Sequence, residues 1–154
     1  VDARLQLTKN FSTNHQLSIV KGRDTSLDRA LINMPPVNTT NSLTFKNEKL
    51  NNLRLGITSQ YVFRQNEFPN NNFEVFIPET ETTEVVDLST PPDAYHLLGF
   101  TSSIDFSVFN KSTLNVGLDV SNIFNTEYRD YLNRLRYYAD DLGRNVTLRL
   151  KLNY

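Results

Sequence analysis

The side chains best suited to binding chemistry are concentrated near the C-terminus, between Asn125 and Gly143. The arginine and tyrosine residues there are Tyr128, Arg129, Tyr131, Arg134, Arg136, Tyr137 and Tyr138, interspersed with Asp130, Asp140 and Asp141. Guanidinium groups bind anions through paired hydrogen bonds, and aromatic faces stack on rings and cations, so the set suits an anionic, partly aromatic ligand such as a ferric catecholate complex. One alternative stays open: the arginines and aspartates pair within the loop, and the tyrosine rings form a girdle at a membrane interface.

Two further groups were considered as binding sites. His96 precedes a predicted strand and is expected at its rim, where it could contact a ligand. His15 is predicted to lie on a turn at the opposite end, so the two histidines do not predict a metal site. The acidic set Glu79, Glu81, Glu84 and Asp87 lacks the spacing of a calcium-binding loop, and we interpret it as a solvated loop.

The chain carries no catalytic signature, and we expect neither enzymatic activity nor a cofactor. Sequence patterns of serine hydrolases, nucleotide-binding loops and zinc proteases are missing. Asp105 and Asp119 are candidates for neighbours across a hairpin, in principle an acid pair. The favoured interpretation is a network of wall charges facing a wet lumen, formed by Arg54, Asp105, Asp119, Arg149 and Lys151.

Composition leaves a membrane barrel open. A hydrophobic content of 38% and a mean hydropathy of −0.44 are typical of soluble proteins, but barrels also carry polar lumens and loops. A net charge of −1 gives no support to nucleic-acid binding. The absence of cysteine excludes disulfide scaffolds and thiolate chemistry. Because the chain begins at Val1 rather than Met, we expect it to be part of a longer protein.

Alternating residues predict about seven strands and no helix longer than two turns. The strands are expected near residues 1–7, 17–21, 42–47, 53–64, 98–108, 114–120 and 145–154. Ser12-Thr13-Asn14, Glu48-Lys49 and Asn110-Lys111-Ser112 are interpreted as short turns. Gly22–Asn38, Gln65–Asp93 and Asn125–Gly143 are interpreted as long loops, and the second is expected to contain a short hairpin.

The alternation of short and long connections is typical of an antiparallel up-and-down barrel. The last strand is the clearest case. Its apolar face is formed by Val146, Leu148, Leu150, Leu152 and Tyr154. Slipping this strand by one residue would place the side chains of Arg149 and Lys151 in lipid, at a cost of roughly 2–4 kcal/mol each. The register is therefore firmly specified.

The C-terminal forty or so residues resemble the last two strands of TonB-dependent outer-membrane receptors. The shared pieces are Asn122-Ile123-Phe124-Asn125 with Glu127-Tyr128, then Gly143-Arg144-Asn145, and the alternating strand that ends on an aromatic residue. Met34-Pro35-Pro36 and the stretch from Pro91 to Leu98 resemble loops that re-enter strands, but less specifically.

The resemblance implies an all-β fold: an antiparallel up-and-down transmembrane β-barrel fragment with long extracellular loops and short periplasmic turns. Residues 1–154 would be the C-terminal portion of a receptor barrel whose plug domain and N-terminal strands are absent. Such receptors reside in the bacterial outer membrane and import iron-siderophores or other scarce nutrients. The expected partners are outer-membrane lipid, the barrel-insertion machinery that reads the C-terminal strand, the TonB complex through the missing N-terminal part, and a metal chelate or other nutrient. The C-terminus is expected to be periplasmic.

Two alternatives remain at this point. One is a secreted all-β binding module, such as a carbohydrate-binding sandwich with exposed tyrosines. The other is a small complete barrel, which would need an eighth strand that the sequence does not show.

Overall fold

The computed structural model describes residues 1–109 and 112–154 and contains a single large sheet. Its strands are β1 (Asp2–Gln6), β2 (Phe11–Ser18), β5 (Asn38–Asn47), β6 (Leu53–Val62), β9 (Tyr95–Val108), β10 (Ser112–Ser121) and β11 (Asn145–Asn153). Two small hairpins lie in the connections, β3 (Arg23–Asp24) with β4 (Arg29–Ala30), and β7 (Phe73–Ile77) with β8 (Thr82–Val86). A single 3-10 turn, η1, spans Arg134–Tyr137. In the part of the chain described, no helix is long and apolar enough to cross a membrane.

The large sheet is an antiparallel meander. Its seven strands pair in chain order, β1-β2-β5-β6-β9-β10-β11, and every pair is antiparallel. The sheet is open, because β1 and β11 each have one neighbour among the described strands. Short connections lie at one end of the sheet and long ones at the other, since residues 7–10 and 48–52 join β1 to β2 and β5 to β6. The predicted all-β, up-and-down architecture of seven strands is therefore confirmed.

The two faces of the sheet differ in chemistry. Register places Leu148 beside Leu118, and Leu150 beside Val116, which in turn lies beside Ile104, so the apolar residues of neighbouring strands share one face. On β11 the side chains of this apolar face are 54–65% exposed from Val146 to Leu152. The opposite, charged face carries the ionisable residues of the same strands. An apolar surface this continuous requires an apolar medium or a partner.

The described part of the chain has very few buried hydrophobic residues. Within the described residues, the buried hydrophobic residues are Val62, Tyr95 and Tyr131. A chain of 154 residues ordinarily buries well over half of its surface on folding. The strands also form one sheet rather than two packed sheets, which is not the architecture of the sandwich alternative.

The first turn was predicted in the wrong place. Ser12, Thr13 and Asn14 lie inside β2, and the turn precedes Phe11. The hydroxyl of Thr8 accepts hydrogen bonds from the backbone N–H groups of Asn10 and Phe11 at 3.3 and 3.1 Å, which closes the chain reversal four residues earlier. His15 is consequently a strand residue, and the prediction of a turn position for it was wrong.

Strand β5 also begins earlier than predicted, at Asn38 instead of Ser42. At its start, the positions on the apolar face are occupied by Thr39 and Asn41 instead of apolar residues. The alternation of apolar and polar residues is therefore hidden in this part of the sequence. The hairpin expected in the second long loop is present as β7 and β8, whereas the β3–β4 hairpin of the first loop was not predicted. The predicted turn at Asn110 and Lys111 lies outside the described residues.

Candidate functional site

The C-terminal long loop is anchored where it leaves β10 and where it enters β11. Asn122 is buried and takes a positive φ of 48°, which asparagine tolerates better than most residues. Its side-chain amide donates to the carbonyl of Thr126 at 2.9 Å and accepts from the N–H of Thr126 at 2.8 Å. Asn125 Oδ1 accepts from the N–H of Arg144 at 2.8 Å, which ties the two ends of the loop together.

Gly143 is required by the contact that Asn125 makes. A Cβ at position 143 would lie 2.6 Å from Asn125 Oδ1. We therefore expect Gly143→Ala to displace the Asn125 side chain and to raise protease sensitivity of the loop in the folded protein, because a lost hydrogen bond of this kind costs about 1 kcal/mol. Limited proteolysis followed by mass spectrometry measures the change. Asn125→Ala should reproduce it, and loop cleavage identical to wild type in both variants would contradict this role.

Arg136 holds the middle of the loop together and is buried, at 8% exposure. Its guanidinium carbon lies 4.3 Å from the ring centre of Tyr131 and 4.8 Å from that of Tyr137. It donates to the carbonyl oxygen of Tyr131 at 2.6 Å and to Tyr137 Oη at 2.7 Å. A guanidinium enclosed in this way is a structural centre, since little of its surface is left for a ligand.

The acidic residues of the loop also form contacts within the loop. Arg129 Nε contacts Asp140 at 2.6 Å, and its Nη1 donates to the carbonyl of Arg136 at 3.0 Å. Asp141 accepts from the N–H of Asp130 and from Asn133 Nδ2, each at 2.7 Å. The predicted Arg–Asp pairing within the loop is thus present for Arg129.

The loop is seated on the end of β9 by two tyrosines. The rings of Tyr95 and Tyr128 have centres 4.5 Å apart, and Tyr95 Oη donates to Asp130 at 2.8 Å. Burial raises the pKa of Tyr128, and the negative charges of Asp141 and Asp130 raise it further. Both phenols are therefore neutral at physiological pH. Tyr95 was not among the binding residues predicted from the sequence, because it lies in the stretch from Pro91 to Leu98, which was interpreted only as a loop re-entering a strand.

A hydrogen bond joins this loop to the preceding long loop. Tyr137 Oη donates to the carbonyl oxygen of Leu88 at 2.7 Å. The Leu88 region is itself ordered by Asn72, whose Oδ1 accepts from the N–H groups of Leu88 and Ser89 at 2.9 Å. Hydrogen bonds from Thr90, and then from Ser89, lower the pKa of Asp87 to about 2, so this carboxylate stays charged at any physiological pH. Two long loops thus form one continuous surface.

The sequence-predicted ligand residues separate into two groups. Arg129, Tyr131, Arg136 and Tyr137 brace the loops. Arg134, the first residue of η1, and Tyr138, which follows η1, are exposed, and Tyr138 is 85% exposed. Arg134 makes no ion pair with any residue in the described ranges. Arg134 and Tyr138 therefore remain candidates for contact with a ligand.

His96 lies away from this group. Register pairs it with Tyr61 on the apolar face, and its Nε2 lies 2.8 Å from the hydroxyl of Ser59. His96 therefore does not join Arg134 and Tyr138. Among the residues described, no three His, Asp or Glu side chains are grouped to hold a metal ion.

The wall charges predicted from sequence share the charged face. Arg149 Nη2 contacts Asp119 at 2.7 Å, and the arginine side chain passes 3.6 Å from the position a Cβ would take on Gly117. Asp105 accepts from Asn52 Nδ2 at 2.8 Å and from Asn115 Nδ2 at 2.7 Å. Arg54 and Lys151 lie on the same face and make no ion pair within residues 1–109 and 112–154. A face this polar is suited to water or to a polar partner.

The architecture of this chain is similar to that of known protein structures. No family model matches the chain, and no curated protein matches it. Eleven chains of solved structures match, among them the copper transporter OprC, with a TM-score of 0.74 at 20% identity over 98% of this chain. The fold of this chain is therefore similar to that of a segment of this transporter. The chain spans 21% of the length of the OprC chain.

Proposed function

We propose that residues 1–154 form the C-terminal part of the barrel of a TonB-dependent outer-membrane transporter. The observation that carries the proposal is the open meander of seven strands with one exposed apolar face and one charged face. Such a sheet is completed by further strands, with lipid on the apolar side and a hydrated or plugged lumen on the other. In this arrangement Arg54, Asp105, Asp119, Arg149 and Lys151 face the lumen.

Orientation follows from the lengths of the connections. Outer-membrane barrels have short periplasmic turns and long extracellular loops. Strand β11 ends on the side of the short connections, so Tyr154 lies at the periplasmic rim and the braced loops face the exterior. The apolar face of β11 from Val146 to Tyr154 then serves as the signal for the insertion machinery.

The proposed ligand is a scarce nutrient captured as an anionic metal chelate, of which an iron-siderophore is one kind. Arg134 and Tyr138 supply an exposed cation and an exposed aromatic side chain on a braced loop. The structural neighbour OprC is by its name a copper transporter, which agrees with metal uptake as a class. The TonB complex and a plug would act through parts of the protein beyond these residues.

The proposal is tested on the full-length protein in its native host. We expect it in the outer-membrane fraction, migrating faster on gels unheated than boiled, and we expect its deletion to abolish uptake of one metal chelate under starvation. Arg134→Ala with Tyr138→Ala should weaken that uptake while heat-modifiable migration is unchanged. Recovery of the full-length protein as a water-soluble monomer would refute the proposal.

A further inference from the structure

A recess at the short-connection end of the charged face is lined by several basic side chains. It has a volume of about 820 Å³ and is bordered by the turns that join β1 to β2 and β5 to β6. We call it the basic recess. Its charged residues are Lys9, Lys46, Glu48, Lys49 and Arg54. Four cations therefore stand against one carboxylate among the residues that line it.

Two of these cations are direct neighbours across the sheet. Lys46 of β5 and Arg54 of β6 are partners in the antiparallel register, so both lie on the charged face. Like charges directly opposite each other in a sheet are destabilising. Glu48 contacts Lys46 Nζ at 3.0 Å, whereas Arg54 makes no ion pair within the described ranges. The two neighbouring cations are therefore only partly neutralised by the described part of the chain.

Hydrogen bonds in the two turns fix the backbone that carries the cations. The N–H of Lys46 donates to the carbonyl oxygen of Asn10 at 2.8 Å, and Asn10 Nδ2 donates to the carbonyl oxygen of Lys46 at 2.6 Å. These two bonds hold Lys9 and its turn against β5. In the second turn, the N–H of Lys49 donates to Asn47 Oδ1 at 3.0 Å. The cations are thus exposed side chains on an ordered framework.

The acidic residue on the neighbouring strand has other partners. Asp105 lies two residues beyond Ser103, the register partner of Arg54 on β9. Its two carboxylate oxygens accept from Asn52 Nδ2 and Asn115 Nδ2. Asp105 therefore ties the second turn to β9 and does not line the basic recess. The recess keeps an excess of positive charge.

We propose that the basic recess binds an acidic segment of the same protein that lies beyond residues 1–154. In the proposed barrel, on which this inference rests, the recess opens into the lumen at its periplasmic end. Carboxylates placed between Lys46 and Arg54 relieve their repulsion, and complementary charge sets the position of the contact. Because the cations come from two strands and two turns around a wide recess, a stretch of polypeptide with several carboxylates contacts them together, which a small anion does not.

The length of the similar transporter leaves ample polypeptide for this segment. Residues 1–154 span 21% of the OprC chain, so most of a transporter of that size lies outside them.

Carbodiimide cross-linking of the full-length protein in outer membranes tests the contact. A water-soluble carbodiimide joins a lysine amine to a carboxylate that touches it, forming an amide while the carbodiimide takes up the lost water as a urea. Mass spectrometry of the digested monomer identifies the coupled peptides. We expect amides between the lysines of the basic recess and Asp or Glu residues beyond residues 1–154. Lys151, on the same face but outside the recess, should give at least about tenfold fewer, because a specific contact holds the reacting groups at high effective concentration.

Two variants separate the charge of the recess from its amine chemistry. Lys46→Arg keeps the charge but lacks a reactive amine, so it should lose the amides of residue 46 and retain those of Lys9 and Lys49. Lys46→Glu combined with Arg54→Glu should reduce the amides of Lys9 and Lys49 by about tenfold, because like charges then repel the segment. Heat-modifiable migration should be kept in both variants, since both positions lie on the polar side.

Several outcomes would overturn the proposed contact. These are amides confined to residues 1–154, such as one between Lys46 and Glu48, cross-links only to a different protein, and equal yields from Lys151 and the recess lysines. Unchanged yields from Lys9 and Lys49 after the charge reversal would overturn it as well. Absence of the protein from the outer membrane would instead overturn the proposed function itself.

Discussion

Replacing Leu150 by arginine is expected to remove most of the folded protein from the outer membrane. Leu150 lies near the middle of β11, 65% exposed, between apolar neighbours that include Val116. An arginine on the lipid face near the bilayer midplane costs about 2–4 kcal/mol, a large share of the stability of an ordinary domain. Heat-modifiable migration of the full-length protein in isolated outer membranes measures the folded fraction.

Thr147→Arg provides the matched control for that substitution. Thr147 lies on the charged face of the same strand and pairs with Asp119 in register, so the new guanidinium enters the polar side. We expect its folded fraction to stay close to wild type. If both substitutions were tolerated equally, the assignment of the two faces of β11 to lipid and lumen would be wrong.

The second large effect is expected from Arg136→Ala in the C-terminal loop. The substitution removes two hydrogen bonds and two ring contacts. A hydrogen bond to a charged group contributes about 1.5–3 kcal/mol, and a guanidinium over an aromatic ring adds roughly 0.5–2 kcal/mol. Because the Tyr137 ring loses its support, its hydrogen bond to Leu88 should weaken as well. Both long loops are then expected to loosen.

Hydrogen exchange on the full-length protein in detergent measures this loosening. We expect amide exchange across residues 125–143 to accelerate at least about tenfold, since each 1.4 kcal/mol corresponds to a factor of ten. Arg136→Lys keeps the charge but not the planar group, and should restore little of the protection from amide exchange. Arg134→Ala, on the exposed side of η1, should leave exchange unchanged. Unchanged exchange in Arg136→Ala would show that the loop is held by other contacts.

These variants also separate two roles within one loop. Arg134 and Tyr138 are proposed to touch the ligand, whereas Arg136 acts by keeping η1 in place. If Arg134→Ala lost uptake without faster amide exchange, Arg134 would contribute directly to ligand binding. If Arg136→Ala lost uptake together with faster amide exchange, the loss would result from the disordering of the loop.

The strands of the large sheet could be predicted from the sequence wherever the alternation of apolar and polar residues continues. On β10 and β11 the apolar residues repeat at every second position, and on β6 and β9 they do so apart from Ser59, His96 and Ser102. Side-chain direction in a strand is a local property, so strand positions and faces follow directly. The contrast between short and long connections is equally local. Together they predicted a meander of seven strands, which the structure contains.

Local reasoning failed on β2 and the start of β5. There Ser12-Thr13-Asn14 and Thr39-Asn41 have the composition of turns, although they form ladder pairs with neighbouring strands. Pairing on both sides overrode the local preference, as β-structure commonly does.

The contacts among the loop residues are visible only in the three-dimensional structure. The sequence placed arginines, tyrosines and aspartates in one segment but left open whether they bind a ligand or one another. The answer depends on contacts between distant positions, such as Tyr95 with Asp130, 35 residues apart, and Leu88 with Tyr137, 49 residues apart. Composition and spacing carry no record of such pairings, because they exist only after the strands have brought the loops together.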